Sequence, residues 1–279
     1  MNPETVPSKF AATLLNLVSE RGKNYDVMLE RAGIEFDPQK PELAGWQERI
    51  TARQYSRLYQ EVLKLIQDEM FGAKVIGNVT PGSFRMMCYA ILGCENLGKA
   101  IHRACEFYRI FFDKNAHIYL LEDDEVSRVG YAGINSREPD DPVQTGDVYG
   151  MSAWHRFYCW LIDLPIDLKF VNFSGAAPDA ERIAKFESLF NCPVQFSQPN
   201  DQFAFDTKVL SNPIVRNEQA LREFLRTAPY PLMVIPGSTS DTSLSARVRS
   251  LIGHDFSQGV PDFDRVTDAL NMSAPTLRR

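Results

Sequence analysis

No run of about twenty apolar residues occurs in this chain, so nothing in it reads as a transmembrane helix. The opening residues, Met1 to Pro7, lack the basic and apolar regions of a signal peptide, which makes a cytoplasmic protein the expectation. Cysteine is sparse and odd in number, five residues (Cys88, Cys94, Cys105, Cys159, Cys192) with no C-x-x-C. Buried free thiols in a reducing compartment are therefore expected, with neither disulfides nor metal. The four histidines, His102, His117, His155 and His254, are far apart, and no Cys/His spacing suits zinc. G-x-G-x-x-G, the P-loop, H-E-x-x-H and G-x-S-x-G are all missing, so neither an enzyme nor a cofactor is expected. Positive charge is also short: 30 Lys and Arg against 36 Asp and Glu give a net charge of −6. That excludes a protein whose whole surface grips nucleic acid, although a small, locally basic unit remains compatible with it.

What is present is a large apolar share, 44%, with 18 Phe and 10 Tyr, enough to fill a sizeable core. Two helices are predicted over 8–33. One carries the stripe Phe10, Leu14, Leu17 and Val18; the other carries Tyr25, Met28, Leu29 and Ala32 and stops at Gly33. Residues 51–70 place Tyr55, Leu58, Tyr59, Val62, Leu65 and Ile66 at helical intervals, and helices follow over 82–92 and 97–112. The period then changes. Residues 117–121 and 126–132 alternate around Glu122–Glu125 and predict a hairpin with a solvated acidic turn. A long aromatic helix over about 144–162 comes next, then a buried strand at 168–173 and a helix at 179–190. A second hairpin is predicted from 194–196 and 203–205 around Pro199 to Asp201, and a last helix over 217–227. About five strands joined by hairpins, with helices between them, predict an α+β domain with a mainly antiparallel sheet.

Pro229, Pro231 and the run Pro236 to Ser240 interrupt this pattern, so we expect a domain over 1–228, a linker at 229–240 and a short all-α unit from 241 to 279. In that unit Leu244, Val248, Leu251 and Ile252 share one helical face, and Asp262 caps a helix bearing Phe263, Val266, Ala269 and Leu270. Asn271 suits a left-handed turn, Ser273 suits an N-cap and Pro275 a first turn. The segment thus reads as a helix-turn-helix that ends partway through its second helix. Ser273, Thr276, Arg278 and Arg279 would face a DNA major groove.

Three passages carry a family likeness: Gly82 to Gly93 followed by Asn96-Leu-Gly-Lys-Ala100, then Leu189-Phe-Asn-Cys-Pro-Val-Gln-Phe196 with Asn200 to Phe205 and Leu210-Ser-Asn-Pro213, and finally Asp268 to Arg279. Together the chain resembles AraC/XylS-type transcriptional regulators, in the subgroup with an arabinose-binding-like, ornithine-regulator type of effector domain. The likeness spans about residues 20–279. It implies a ligand-responsive DNA-binding regulator, a small-molecule effector and a homodimer. It also implies two helix-turn-helix units; the second is absent here, and Asn271 replaces the usual turn glycine. Operator binding would need that C-terminal part.

The effector pocket such a domain implies is sought among polar residues set in apolar helical stretches: Arg85, Tyr89, Tyr108, Trp154 and His155. Each also fits the pattern of an ordinary core residue with a satisfied polar tip. The alternative function is a stand-alone metabolite-binding or protein-interaction module without DNA binding.

Overall fold

The structure is a computed structural model that describes residues 5–69, 79–111, 117–132, 141–143, 145–229 and 232. These residues fall within the compact unit Met1–Met233. The predicted helix-turn-helix, with Ser273, Thr276, Arg278 and Arg279, lies outside the described residues.

The N-terminal part pairs two short antiparallel strands, β1 (Thr5–Pro7) and β2 (Arg49–Thr51), with Val6 opposite Ile50 and both buried. Neither strand was expected, and three residues are too few to show a period. Helices α1 (Ser8–Ser19), α2 (Asp26–Ala32) and α3 (Ala52–Ile66) accompany them. The buried side of α1 is Ala11, Leu14, Leu15 and Val18, so Leu15 takes the place that the predicted stripe gave to Leu17. Gly33 ends α2 in the left-handed conformation, φ 73°. Thr51 and Gln54 close a capping box at the start of α3, satisfying two otherwise orphaned N–H groups.

Two further helices, α4 (Ser83–Leu92) and α5 (Leu97–Tyr108), precede the five-stranded sheet. Helix α5 stops four residues short of the predicted end, because Ile110 and Phe111 donate to carbonyls three residues back, in a tighter turn. The sheet contains β3 (His117–Leu121), β4 (Val126–Ala132), β5 (Leu168–Asn172), β6 (Val194–Gln195) and β7 (Asp201–Asp206). Its order is β3-β4-β7-β5-β6, antiparallel except for β5 with β6. Helix α6 (Thr145–Ile162) leads into β5, α7 (Ala180–Phe190) links β5 to β6, and α8 (Glu218–Thr227) follows β7. The predicted α+β class and mainly antiparallel sheet are thus found.

The second predicted hairpin is not. β6 pairs in parallel with β5, and β7 lies between β4 and β5. Two causes are visible. Phe203, Ala204 and Phe205 are all fully buried, so β7 is apolar on both faces and belongs in the sheet interior. The chain after β6 is also bound elsewhere: Ser197 N–H donates to Gly175 O, and Gln198 N–H to Phe173 O.

Helix α6 lies across the sheet face formed by Val129, Val171 and Phe203, with Tyr158 6.2 Å from Phe203 between ring centres. His155, on the same helix, sits 5.9 Å from Phe203, and its Nε2–H donates to Ile166 O at 2.8 Å. A carbonyl only accepts, so this bond fixes the proton on Nε2. Burial pushes the His155 pKa below its ordinary 6.5, against the Ile166 bond.

Two outcomes follow from this arrangement. Phe203→Ala removes a fully buried ring from the central strand and is expected to cost about 3–5 kcal/mol in urea unfolding; a loss under about 1 kcal/mol would displace β7 from the core. His155 is protonated more readily in the unfolded chain. Its stabilising contribution is therefore complete above the unfolded pKa of 6.5 and is lost as pH falls below it. His155→Gln keeps a donor for Ile166 and should flatten the decline in melting temperature between about pH 7 and 5.5. Parallel slopes in the two proteins would exclude His155 as its source.

Candidate effector site

The N-terminus of α4 is set by a carboxylate from far along the chain. Gly82, φ 101°, begins the helix, and the Glu69 oxygens accept from Gly82 N–H at 2.5 Å and Phe84 N–H at 2.7 Å. A carboxylate at a helix N-terminus meets both orphan donors and the positive end of the helix dipole. Asp68 Oδ1 accepts from Val79 N–H, and Val79 O accepts from Glu69 N–H, so the segment 68–69 is tied to 79–84. Burial raises the Glu69 pKa, while the two N–H bonds and the Arg85 charge oppose the rise.

The other wall comes from α5. Its N-cap Asn96 accepts from Lys99 N–H, and Leu97 N–H donates to Asn212 O. At its far end stands Tyr108, buried, and perpendicular to Trp154 of α6 at 5.6 Å between ring centres. Phe84 meets Trp154 at 6.2 Å and Phe157 at 5.4 Å, and Tyr158 lies 5.9 Å from Trp154. Glu69, Cys88 and Tyr59 all act on the Tyr108 phenol, whose pKa is raised chiefly by burial. From the sheet, Tyr131 brings a buried hydroxyl that has no hydrogen-bond partner among the described residues. After burial, the groups that raise its pKa are Tyr158, Cys105 and Tyr108, so three phenols and a thiol converge where α5, α6 and β4 meet.

The sequence candidates divide accordingly. Tyr108 and Trp154 are brought into contact. Arg85 is exposed on α4, close enough to Glu69 to influence it, and Tyr89, one turn on, is also exposed. His155 faces the sheet instead, with its ring nitrogen committed to Ile166. Glu69 and Tyr131 were not foreseen. Alternation in β4 puts Tyr131 opposite Asp201 on the face shared with Val129, yet nothing in the alternation tells that its hydroxyl lacks a partner.

Such a wall suits recognition of an organic molecule: aromatic surface with a few polar groups. It is poorly suited to covalent chemistry. Burial raises the thiols of Cys105 and Cys192 to about 11 and lifts Cys88, Cys94 and Cys159 above their ordinary value, so these cysteines are protonated at neutral pH. All five are free. Among the described residues no His, Cys, Asp and Glu group is arranged to hold a metal, and no helix is long and apolar enough to cross a membrane.

Known proteins share sequence with this chain. A family model described as the arabinose-binding domain of AraC transcription regulators, N-terminal, matches residues 22–214. The ornithine utilization regulator of Pseudomonas aeruginosa is 24% identical over 286 aligned positions, covering 99% of this chain and 78% of that protein. The crystal structure of the transcriptional regulator CdpR from Pseudomonas aeruginosa is 14% identical, covers 98% of this chain and 78% of its own, and superposes with a TM-score of 0.38. The family match runs from before α2 to beyond β7, well over half of the sequence, and the chain belongs to the AraC-type transcription regulators that carry this arabinose-binding domain.

Proposed function

We propose that this protein is a ligand-responsive, DNA-binding regulator in which the domain over 1–228 binds a small-molecule effector. The linker at 229–240 joins it to the helix-turn-helix unit over 241–279. The observation that carries the reading is the aromatic wall of Tyr108 and Trp154, with the unpartnered Tyr131 hydroxyl beside it, inside a domain of this family. The effector would lie against Tyr108 and Trp154, with Arg85 and Tyr89 at the outer edge and His155 acting from behind as support. The likeness to an ornithine utilization regulator makes amino acids the first ligands to screen.

Ser273, Thr276, Arg278 and Arg279 are assigned to DNA contact on sequence grounds. Arginine pairs with guanine edges through two parallel hydrogen bonds. A homodimer in the cytoplasm completes the reading, because paired half-sites are read by two-fold proteins.

Two experiments test it. In native mass spectrometry of the purified protein, a bound small molecule is expected, and Trp154→Ala should lose it while remaining folded. Retention in that variant would move the effector away from the aromatic wall. In gel-shift titrations of the full-length protein against DNA upstream of its own gene, Arg278→Ala should weaken binding by about tenfold to a hundredfold. A wild type that shows no specific shift at any salt concentration favours the stand-alone binding module instead.

A further inference from the structure

Helix α6 has a second side. Tyr149 and Arg156 are seven residues apart and share a face, while Arg156 stands about 200° round the helix from Trp154. On this face Tyr149 packs edge-on against Phe10 of α1 at 4.9 Å, and Lys185 of α7 acts on the Tyr149 phenol. Tyr149 makes no hydrogen bond to a described residue.

Arg156 is half-buried, and its five N–H donors meet one acceptor: Nη1 reaches Leu232 O at 3.4 Å. No carboxylate pairs with it among the described residues. Arg216, anchored on the same helix, shows the contrast. Its guanidinium bonds the Asp163 carboxylate and Trp160 O and lies over the Trp160 ring at 5.3 Å. Burial lowers the Arg156 pKa to about 10, so the group still carries its charge at neutral pH. A guanidinium out of water is unfavourable unless an anion and acceptors meet it. Among the described residues Arg156 has neither, apart from one long bond to a neutral carbonyl.

We propose that Arg156 is the receptor for the carboxylate of a small organic acid, with the Tyr149 hydroxyl as the neighbouring donor. This is a site separate from the aromatic wall. The planar fork of the guanidinium fits a carboxylate through two parallel bonds. Lys185 is paired with Glu181, so the guanidinium is left to balance a single negative charge while the phenol donates a hydrogen bond, which favours a carboxylate over a doubly charged phosphate. The long Nη1 contact to Leu232 O uses one of five N–H groups and leaves the others available for a carboxylate.

The test uses acetate as the probe, at ionic strength held constant with chloride. Acetate is expected to raise the melting temperature of the wild type by about 2–4 °C at saturating concentration. Acetamide, its neutral counterpart, should leave it unchanged, and Arg156→Gln should abolish the acetate response. An equal response to acetamide, a larger one to inorganic phosphate, or a retained response in Arg156→Gln overturns the proposal. Should that variant fail to fold, phenylglyoxal modification of the wild type decides the matter. Acetate should slow modification of Arg156 severalfold and leave the exposed Arg222 unaffected; equal rates at Arg156 with and without acetate overturn it. The site stands or falls by these results whatever the gel shifts show.

Discussion

Phe157 and Tyr158, both closed off from solvent, and the neighbouring Trp154 fix four other elements to one helix. Phe84 of α4 meets Trp154 and Phe157, Tyr108 of α5 meets Trp154, Phe203 of β7 meets Tyr158, and Phe224 of α8 meets Phe157. The packing of α6 on the sheet is therefore the constraint on which the rest depends. Ring pairs of this kind contribute roughly 0.5–1.5 kcal/mol each beyond the area they bury. They also hold direction: an edge-to-face contact such as Tyr108 with Trp154, 82° between planes, is lost by a modest rotation of either helix. Helices α4 and α5 are thereby set at distances that leave polar groups from three elements facing one another.

Those polar groups differ in how well they are met. Glu69 is half-buried and ionisable, yet both its oxygens accept N–H groups that the start of α4 would otherwise leave orphaned. His155 is likewise committed, to Ile166. The Tyr131 hydroxyl and the Arg156 guanidinium are left under-satisfied, on opposite sides of the same helix. Folding alone gives no reason to keep such groups in the interior, since an apolar side chain of similar volume would remove the desolvation cost. Local departures of this kind are where function is to be sought in a fold whose caps and apolar periods otherwise agree.

Much of the architecture was legible because local chemistry decides it. Thr51, Asn96, Asp179 and Asn217 each accept the backbone N–H of the third residue of a helix, and each stands where the sequence marks a helix start. The first hairpin has the predicted limits, since alternation and the Glu122 to Glu125 turn act over a dozen residues. Strand order was not legible. Whether Phe203 to Phe205 pairs with its sequence neighbour β6 or inserts between β4 and β5 depends on contacts over long separations, which local patterns do not encode. The site shows the same division. Tyr108 and Trp154 stood out as polar-tipped aromatics in apolar helices, and they meet. Arg156 satisfies the same criterion, a polar residue amid Met151, Phe157 and Leu161, but its lack of an acidic partner is a fact of tertiary structure alone.

This uneven satisfaction bears on how a ligand could move such a regulator. A ligand shifts an equilibrium between two arrangements only by the difference between its affinities for them. Stacking on Trp154 and Tyr108 tolerates small displacements, because dispersion and area burial change gradually with position. Hydrogen bonds weaken steeply as angle and distance depart from ideal. A ligand that stacks on the aromatic wall therefore gains affinity there in any nearby arrangement of α4, α5 and α6. For such a ligand, discrimination between arrangements would come instead from the buried polar groups. Tyr131, carried by a strand while Tyr108 and Trp154 are carried by helices, can be bridged to them only at one relative placement of sheet and helices. On the reading proposed above, the aromatic residues would supply affinity, and the under-satisfied Tyr131 hydroxyl would supply the dependence on conformation.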